Sequence, residues 1–266
     1  IEAGSKGNDP RINVPIAFAF LGDTSKYSWA FQTEPQQGFA QVPVVEPVSG
    51  IVDTTGESHQ VNFEAKEHRK GYQPRGKVLG GSSSINAMLY LRGNRWDYDH
   101  WSDLGNSGWS YDDVLPYFKK AEHNEIFNNE YHGQNGPLNV TNIRHQNRPT
   151  KDFVKSGSEL FGFNEDFNGF EQEGIGFYQT TQKNGKRCSA ATAYLLDCAT
   201  RENLTIKTDT TINKIIFKNK KAFGVECIDQ FGQSFILEAD KEIILSSGAF
   251  GSPQILLRSG VGPVLE

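Results

Sequence analysis

The stretch GKVLGGSSSINAMLYLRGN, residues 76–94, constrains this chain more than any other. It places two adjacent glycines, three consecutive serines and an asparagine between Arg75 and Lys77 on one side and Arg92 and Arg95 on the other. Glycines let backbone approach a ligand closely. Serine hydroxyls and successive backbone N–H groups can cradle phosphate oxygens, and a helix beginning at INAMLYL would add its positive N-terminal end. The residues therefore read as an anion- or nucleotide-binding loop; a flexible surface loop has the same composition.

Bulk properties exclude several classes. The chain has 266 residues, 36% hydrophobic and 22% charged, which is globular rather than disordered composition. Its net charge of −5 argues against a nucleic-acid partner. No apolar run reaches the roughly 20 residues that cross a bilayer. The three cysteines, Cys188, Cys198 and Cys227, are far apart and odd in number, which fits neither a disulfide framework nor a metal site and agrees with a reducing compartment. Asn139 and Asn203 open glycosylation triplets of the kind that arise by chance. No initiator methionine is present and the single methionine is Met88, so the chain reads as a piece of a longer protein.

Strand–turn–helix patterns with glycine at the turns predict an α/β core with added antiparallel sheet. Residues 42–63 alternate around DTTGES and predict a surface β-hairpin. Ser110 caps a helix in SYDDVLPYFKKAEHNE that Pro116 kinks or breaks. KDFVKSGSELFGF and SAATAYLLDCATR predict further helices, the latter capped by Ser189. KNGK is a turn. NLTIKTDTTINKIIFK, AFGVECID and QSFILEAD predict strands, and KEIILSS predicts another before a helix opened by Ser252 and Pro253.

Two weaker signals join the first. Glu2 ends an apparent strand, the position where an acid accepts hydrogen bonds from a ribose diol; an ordinary solvated glutamate reads the same way. The strand EIILSS running into Gly248 and a helix has the geometry of a ligand crevice, and equally of a routine connection.

Together these stretches resemble the glucose–methanol–choline (GMC) oxidoreductase family. RGKVLGGSSSINAMLYLRGNRWDYDHW is similar to its first signature and GAFGSPQILLRSGVGP to its second. GWSYDDVLPYFKKAEHNE, YHGQNGPLNVT and DFNGFEQEGIGFYQTTQKNGKRCSAATAYL follow as family blocks in order, nearest to the bacterial choline and alcohol dehydrogenase branch. The resemblance implies part of a Rossmann-like FAD-binding domain of α/β class, in residues 1–100 and 186–266, with part of an antiparallel-sheet substrate or cap domain in residues 101–185. It implies oxidation of an alcohol CH–OH group with hydride transfer to flavin N5. By the same resemblance Glu2 holds the adenosine ribose, and Val78, Gly80, Gly81, Ser82, Asn86, Ala87, Met88 and Leu89 line the flavin and pyrophosphate. Ile212 offers its backbone to the adenine.

There are departures from the family pattern. The histidine that attaches FAD covalently in some members is matched by Ile85, which implies noncovalent FAD. Residues 39–68 read as an insertion. The glycine fingerprint falls before Ile1 and the catalytic histidine beyond Glu266, so none of the six histidines is assigned a catalytic role and no metal is expected. The expected partner is a small alcohol with an unspecified electron acceptor, in the cytoplasm or at the inner-membrane surface. A hydroxynitrile-lyase-like member and a non-catalytic flavin-binding remnant are the alternatives.

Overall fold

The computed structural model describes residues 1–22, 26–34 and 70–263, and the chain enters it with backbone laid against backbone. The Glu2 N–H donates to Lys207 O at 2.8 Å, and the Asp209 and Thr210 N–H groups donate back to Gly4 O and Glu2 O. On its other side, Ser5 bridges Val78 in parallel, and the Leu79 N–H donates to Ser5 O at 3.0 Å. A Cβ on Gly4 would fall 1.9 Å from Lys77 O, so only glycine permits this approach.

Asp9 then caps the short helix α1 (Pro10–Asn13), accepting from the Arg11 N–H, and a second short helix, α2 (Phe18–Leu21), follows. Ile12, Leu21, Tyr27, Val78 and Ile85 close over one another as the first core cluster. Strands β1 (Phe31–Gln32) and β2 (Tyr72–Gln73) pair antiparallel, and the Thr33 N–H reaches Gly71 O at 2.9 Å. The hairpin expected over residues 42–63 and the insertion at 39–68 lie outside the described residues, between these paired flanks.

The helix expected from INAMLYL does not form. Residues Gly81–Ser84 make a single 3-10 turn, and the chain then extends into β3 (Leu89–Tyr90). Asn86 Oδ1 accepts the Met88 N–H at 3.0 Å and Met88 sits at φ +63°, so a local side-chain bond takes the donor a helix would use. Pairing of Leu89 and Tyr90 with Thr180 and Gln179 then holds the extended form.

Helix α3 (Arg95–Asp103) starts at an Asn94–Asp97 capping box, and α4 (Tyr111–Ala121) at a Ser110–Asp113 capping box. Helix α4 continues through Pro116. The hydrogen bond lost there would have run to the carbonyl of exposed Asp112, where water can replace it. Strand β4 (Glu122–Asn124) runs parallel to β5 (Leu138–Asn142), helix α5 (Arg148–Phe161) follows an Asn147 cap, and β6 (Gln179–Thr180) completes a four-stranded sheet in the order β3-β6-β5-β4. Asn139 is buried in this sheet and donates to Glu125 and Gln182 O, which excludes glycosylation there.

KNGK turns as expected: Asn184 and Gly185 both have positive φ, joining β7 (Gln182–Lys183) to β8 (Lys186–Arg187). SAATAYLLDCATR forms one π turn (Ala191–Leu195) and a 3-10 turn (Leu196–Cys198) in place of an α-helix. The strands β9 (Thr210–Lys218), β10 (Lys221–Asp229) and β11 (Ser234–Glu238) form an antiparallel meander with β10 central. Helix α6 (Gly248–Arg258) packs its Ile255 against Ile215, Val225 and Cys227. It begins at Gly248 and carries Pro253 inside rather than at its start. The strand expected from KEIILSS is unpaired: no described strand lies beside it, and Ile244 is 80% exposed. Cys188, Cys198 and Cys227 are all free thiols. No helix among the described residues is long and apolar enough to cross a membrane.

One buried charge network ties β4 to its surroundings. Glu122, fully buried, takes the Arg92 guanidinium at 2.7 Å, His132 Nδ1 at 3.0 Å and the Gly133 N–H at 2.9 Å. His132 Nε2 lies 3.0 Å from both oxygens of Asp166. Burial alone would raise Glu122 and Asp166, but the hydrogen bonds from His132 and neighbouring donors outweigh it and hold both below the ordinary carboxylate range. Burial would likewise pull His132 down; its bonds to Asp166 and Glu122 win and hold it above the ordinary histidine range.

Removing one partner of such a network leaves uncompensated charge in the interior. Glu122→Gln is therefore expected to cost about 3–5 kcal/mol, read from the urea midpoint of the intact gene product. The pH dependence has two limbs. The carboxylates contribute stability above the ordinary carboxylate range and lose it as pH falls through their lowered values. His132 contributes fully below the ordinary histidine range and loses its share as pH rises through its raised value. Urea midpoints should therefore peak between the two ranges, and His132→Gln should flatten the alkaline limb and, by removing the bonds that lower Glu122 and Asp166, shrink the acid limb as well; an unchanged alkaline limb would show that His132 is neutral in the folded protein.

Candidate functional site

The glycine–serine turn is built almost entirely from backbone. Gly80 and Gly81 have φ of +91° and +56°, a sequence of left-handed residues that side chains resist. A Cβ on Gly76 would fall 2.2 Å from the Gly81 carbonyl carbon, so the turn folds directly onto the strand entering it. A Cβ on Gly81 itself would meet nothing within 4 Å. That open space faces away from the packed side of the turn.

The serines serve the turn itself. Ser82 Oγ accepts the Gly76 N–H at 3.0 Å, which leaves its own hydrogen to donate. Ser83 Oγ donates to Gly80 O and accepts the Ala190 N–H at 2.8 Å; Ser84 Oγ donates to Leu79 O. Of the hydroxyls expected to cradle an anion, Ser83 and Ser84 are thus committed to backbone. The flanking cations are committed too. Arg92 is buried against Glu122, and Arg95 pairs with exposed Asp112. Arg75 lies over the Phe250 ring at 4.4 Å and Lys77 over Trp29 at 4.7 Å.

The cation missed in the sequence is Arg187. Its Nε donates to Ile12 O at 2.8 Å, and its Nη1 reaches Ser83 O at 3.1 Å, Asn86 O at 2.7 Å and Asn86 Oδ1 at 2.8 Å. Nη2 is buried without a partner. The signal that could have found it was an arginine closing a two-residue hairpin, where solvent-facing charge is the ordinary expectation.

The expected site residues fall into three groups. Glu2 is half-buried at the junction, its Oε1 accepting the Gly4 N–H at 2.8 Å, with burial pushing its carboxyl up. Ile212 lies in β9, two residues beyond the Thr210 that donates to Glu2 O, so these two share one edge. Val78 and Met88 point into the interior and offer backbone only; Val78 is fully buried. Gly80, Gly81, Ser82, Asn86, Ala87 and Leu89 form the exposed or half-exposed rim of a single loop. The bridge from Ser5 to Val78 connects the Glu2 edge to that loop. The second glycine-rich stretch arrives through Phe250, whose ring touches Arg75 and stands edge-on to Phe31 at 6.0 Å. A cavity of about 260 Å³ opens there, lined by Phe31, Gln32, Thr33, Gln73, Phe250 and Gln254.

Among the described histidines, His132 is enclosed by two carboxylates, the His123 ring bonds Gln134 O, and His100 stacks on Trp96 at 4.8 Å. None is placed to take a proton from a ligand on the loop by any hydrogen bond it makes. Among the described residues no cluster of three or more potential metal ligands occurs.

Comparison with known proteins accords with this arrangement. A family model described as GMC oxidoreductase matches residues 41–265. The chain is 40% identical to "Alcohol dehydrogenase [acceptor]" of Pseudomonas putida over its whole length, and 39% identical to "Oxygen-dependent choline dehydrogenase" of Brucella anthropi. It covers 44% and 43% of those two relatives, less than half of either. The crystal structure of pyridoxine 4-oxidase from Mesorbium loti superposes with a TM-score of 0.83 at 30% identity, covering 98% of this chain and 46% of that one. GMC oxidoreductases are FAD flavoproteins, and the α/β fold described above is part of their FAD-binding domain. The chain belongs to the GMC oxidoreductase family.

Proposed function

We propose that the gene product is an FAD-dependent oxidoreductase acting on the CH–OH group of an alcohol, choline or another primary alcohol, with FAD held noncovalently. One observation carries the reading. Glu2, the residue 80–89 loop and Ile212 lie along one connected run of backbone, and the position of the absent Gly81 side chain opens on empty space. A side chain at Gly81 would project into that open space beside the loop, and its absence leaves the backbone there free for close approach by a ligand.

In this reading residues 1–100 and 186–266 supply the FAD-binding part and residues 101–185 the substrate side. Glu2 would bind the adenosine ribose through its carboxylate oxygens. The backbone of Val78 and Met88, with Gly80, Gly81, Ser82, Asn86, Ala87 and Leu89, would line the flavin and pyrophosphate, and the Ile212 backbone would meet the adenine. Bound FAD supplies a hydride acceptor for the carbinol carbon. What this chain contributes is position: the loop is fixed by Ser83, Ser84 and Arg187, so little ordering is left to occur on binding. Ile85, in the place of an attaching histidine, is a buried hydrocarbon in the first core cluster and offers no nucleophile, which supports noncovalent attachment.

Two outcomes test the reading. Purified intact gene product should be yellow, its flavin released by denaturation without proteolysis, and anaerobic choline or a primary alcohol should bleach it. A flavin that no alcohol bleaches would point to chemistry in which the flavin is not the redox agent. Gly81→Val should abolish flavin retention while far-UV dichroism stays native, since the added methyls occupy the open space beside the loop and the strained φ costs only about 1–2 kcal/mol. Full flavin occupancy in that variant would remove this loop from the site.

A further inference from the structure

Among the described residues Arg187 is the guanidinium buried beneath the glycine–serine turn, and its partners are all uncharged. Two segments distant in sequence meet on it: the end of α1 through Ile12 O, and the glycine–serine turn with its following bend through Ser83 O, Asn86 O and Asn86 Oδ1. Asn86 Oδ1 also accepts the Met88 N–H, so the same side chain that Arg187 grips sets the left-handed backbone at Met88. The neighbouring residues add to the clamp, since the Ala190 N–H donates to Ser83 Oγ.

The contrast with Arg92 is informative. Arg92 is equally buried, but it faces Glu122 at 2.7 Å, so its charge is neutralised on the spot. Among the described residues no carboxylate pairs with Arg187; each of the two arginines also buries one nitrogen without a hydrogen-bond partner, Nη2 in Arg187 and Nε in Arg92, so the difference between them is the counter-ion. Burial is the cause acting on its ionisation and pulls it down to about 10, which leaves it cationic at neutral pH. A buried charge without a counter-ion is costly. For holding carbonyls alone, an uncharged donor would avoid that cost. A retained, uncompensated cation points to an electrostatic role.

We infer that Arg187 is a positioning residue for the flavin-facing loop, fixing Ser83 and Asn86 through their carbonyls, and that its uncompensated positive charge favours the reduced over the oxidised flavin. This rests on the reading that the loop faces FAD. Positive charge close to a flavin stabilises the negative charge that reduction adds, and charge near the ring is one of the protein's levers on its electronics.

The test compares wild type, Arg187→Lys and Arg187→Met in the FAD-loaded intact gene product, reading the FAD dissociation constant and the flavin midpoint potential. Arg187→Met should weaken FAD binding at least tenfold and shift the reduced-to-oxidised equilibrium about tenfold toward oxidised, about 30 mV for a two-electron couple. Arg187→Lys keeps the charge but lacks the planar fork that spans Ile12, Ser83 and Asn86. It should loosen FAD while holding the potential near that of wild type. Equal potentials in wild type and Arg187→Met would overturn the electrostatic part, and unchanged FAD affinity in both variants would overturn the positioning part. Should Arg187→Met fail to fold, Arg187→Lys alone decides: weaker FAD supports the inference, wild-type affinity overturns it. Wild-type protein that takes up no FAD would instead defeat the underlying reading, an outcome separable from loaded protein with indifferent variants.

Discussion

Backbone packed on backbone at Gly4 and Gly76 is the contact on which the rest of the candidate site depends. At both positions a Cβ would lie within about the length of two bonds of a carbonyl group, 1.9 Å from Lys77 O in one case and 2.2 Å from the Gly81 carbonyl carbon in the other. The first approach brings the Glu2 edge against residues 77–79. The second folds the turn back on its own entering strand, where the Gly76 N–H meets Ser82 Oγ. With both in place, Glu2, the loop and β9 become one continuous edge. Either one widened by a methyl group would separate the Glu2 edge from the residue 80–89 loop. Side-chain chemistry is secondary here; the glycines decide where the polar groups can stand.

The two buried arginines divide the labour of the fold. Arg92 belongs to a network in which Glu122, His132 and Asp166 satisfy one another, and that network locks β4 to the chain around β3 and β6. In this set each charge faces an opposite one, although Arg92 Nε is buried without a hydrogen-bond partner. Arg187 stands apart, with carbonyl dipoles only. Its cost is borne in the same molecule that shows how an arginine can be neutralised. The two arginines thus differ in one respect that matters to a nearby ligand: only Arg187 keeps a charge with no counter-ion among the described residues.

The sequence made the local features legible and hid the distant ones. Ser110 as a helix cap, Asn184-Gly185 as a hairpin turn and the three strands from Thr210 to Glu238 follow from rules that act within a few residues, and the structure contains all of them. The family blocks were legible for the same reason: they are short and contiguous. INAMLYL went wrong because its apolar content suits a helix, while the deciding interactions were an Asn86 side-chain bond and a strand partner some ninety residues away at Thr180. Pro116 and Pro253 were both read as helix punctuation, yet each sits inside a helix because the surrounding packing and a solvated carbonyl outweigh one lost hydrogen bond. Arg187 was invisible for a similar reason. Nothing in NGKRCS announces that its arginine folds under a turn a hundred residues earlier, at Ser83 and Asn86.

Residues 242–247 show the same principle from the opposite side. EIILSS has every local property of a buried strand, yet Ile244 is 80% exposed and the segment pairs with nothing among the described residues. A strand's stability comes from its neighbours on both edges and from cover on its faces, not from its own sequence. The segment nonetheless runs straight into Gly248 and α6, whose Ile255 is firmly seated on β9. It is held at one end by a well-packed helix and along one face by Ile243 and Leu245, which pack against the same core cluster, while its backbone edges stay unpaired among the described residues. An edge of that kind is a template for pairing, and in a dinucleotide-binding α/β domain the strand leading into a glycine turn is where parallel neighbours add. Phe250, two residues beyond the glycine turn at Gly248, reaches the chain entering the Gly80 loop through its contact with Arg75.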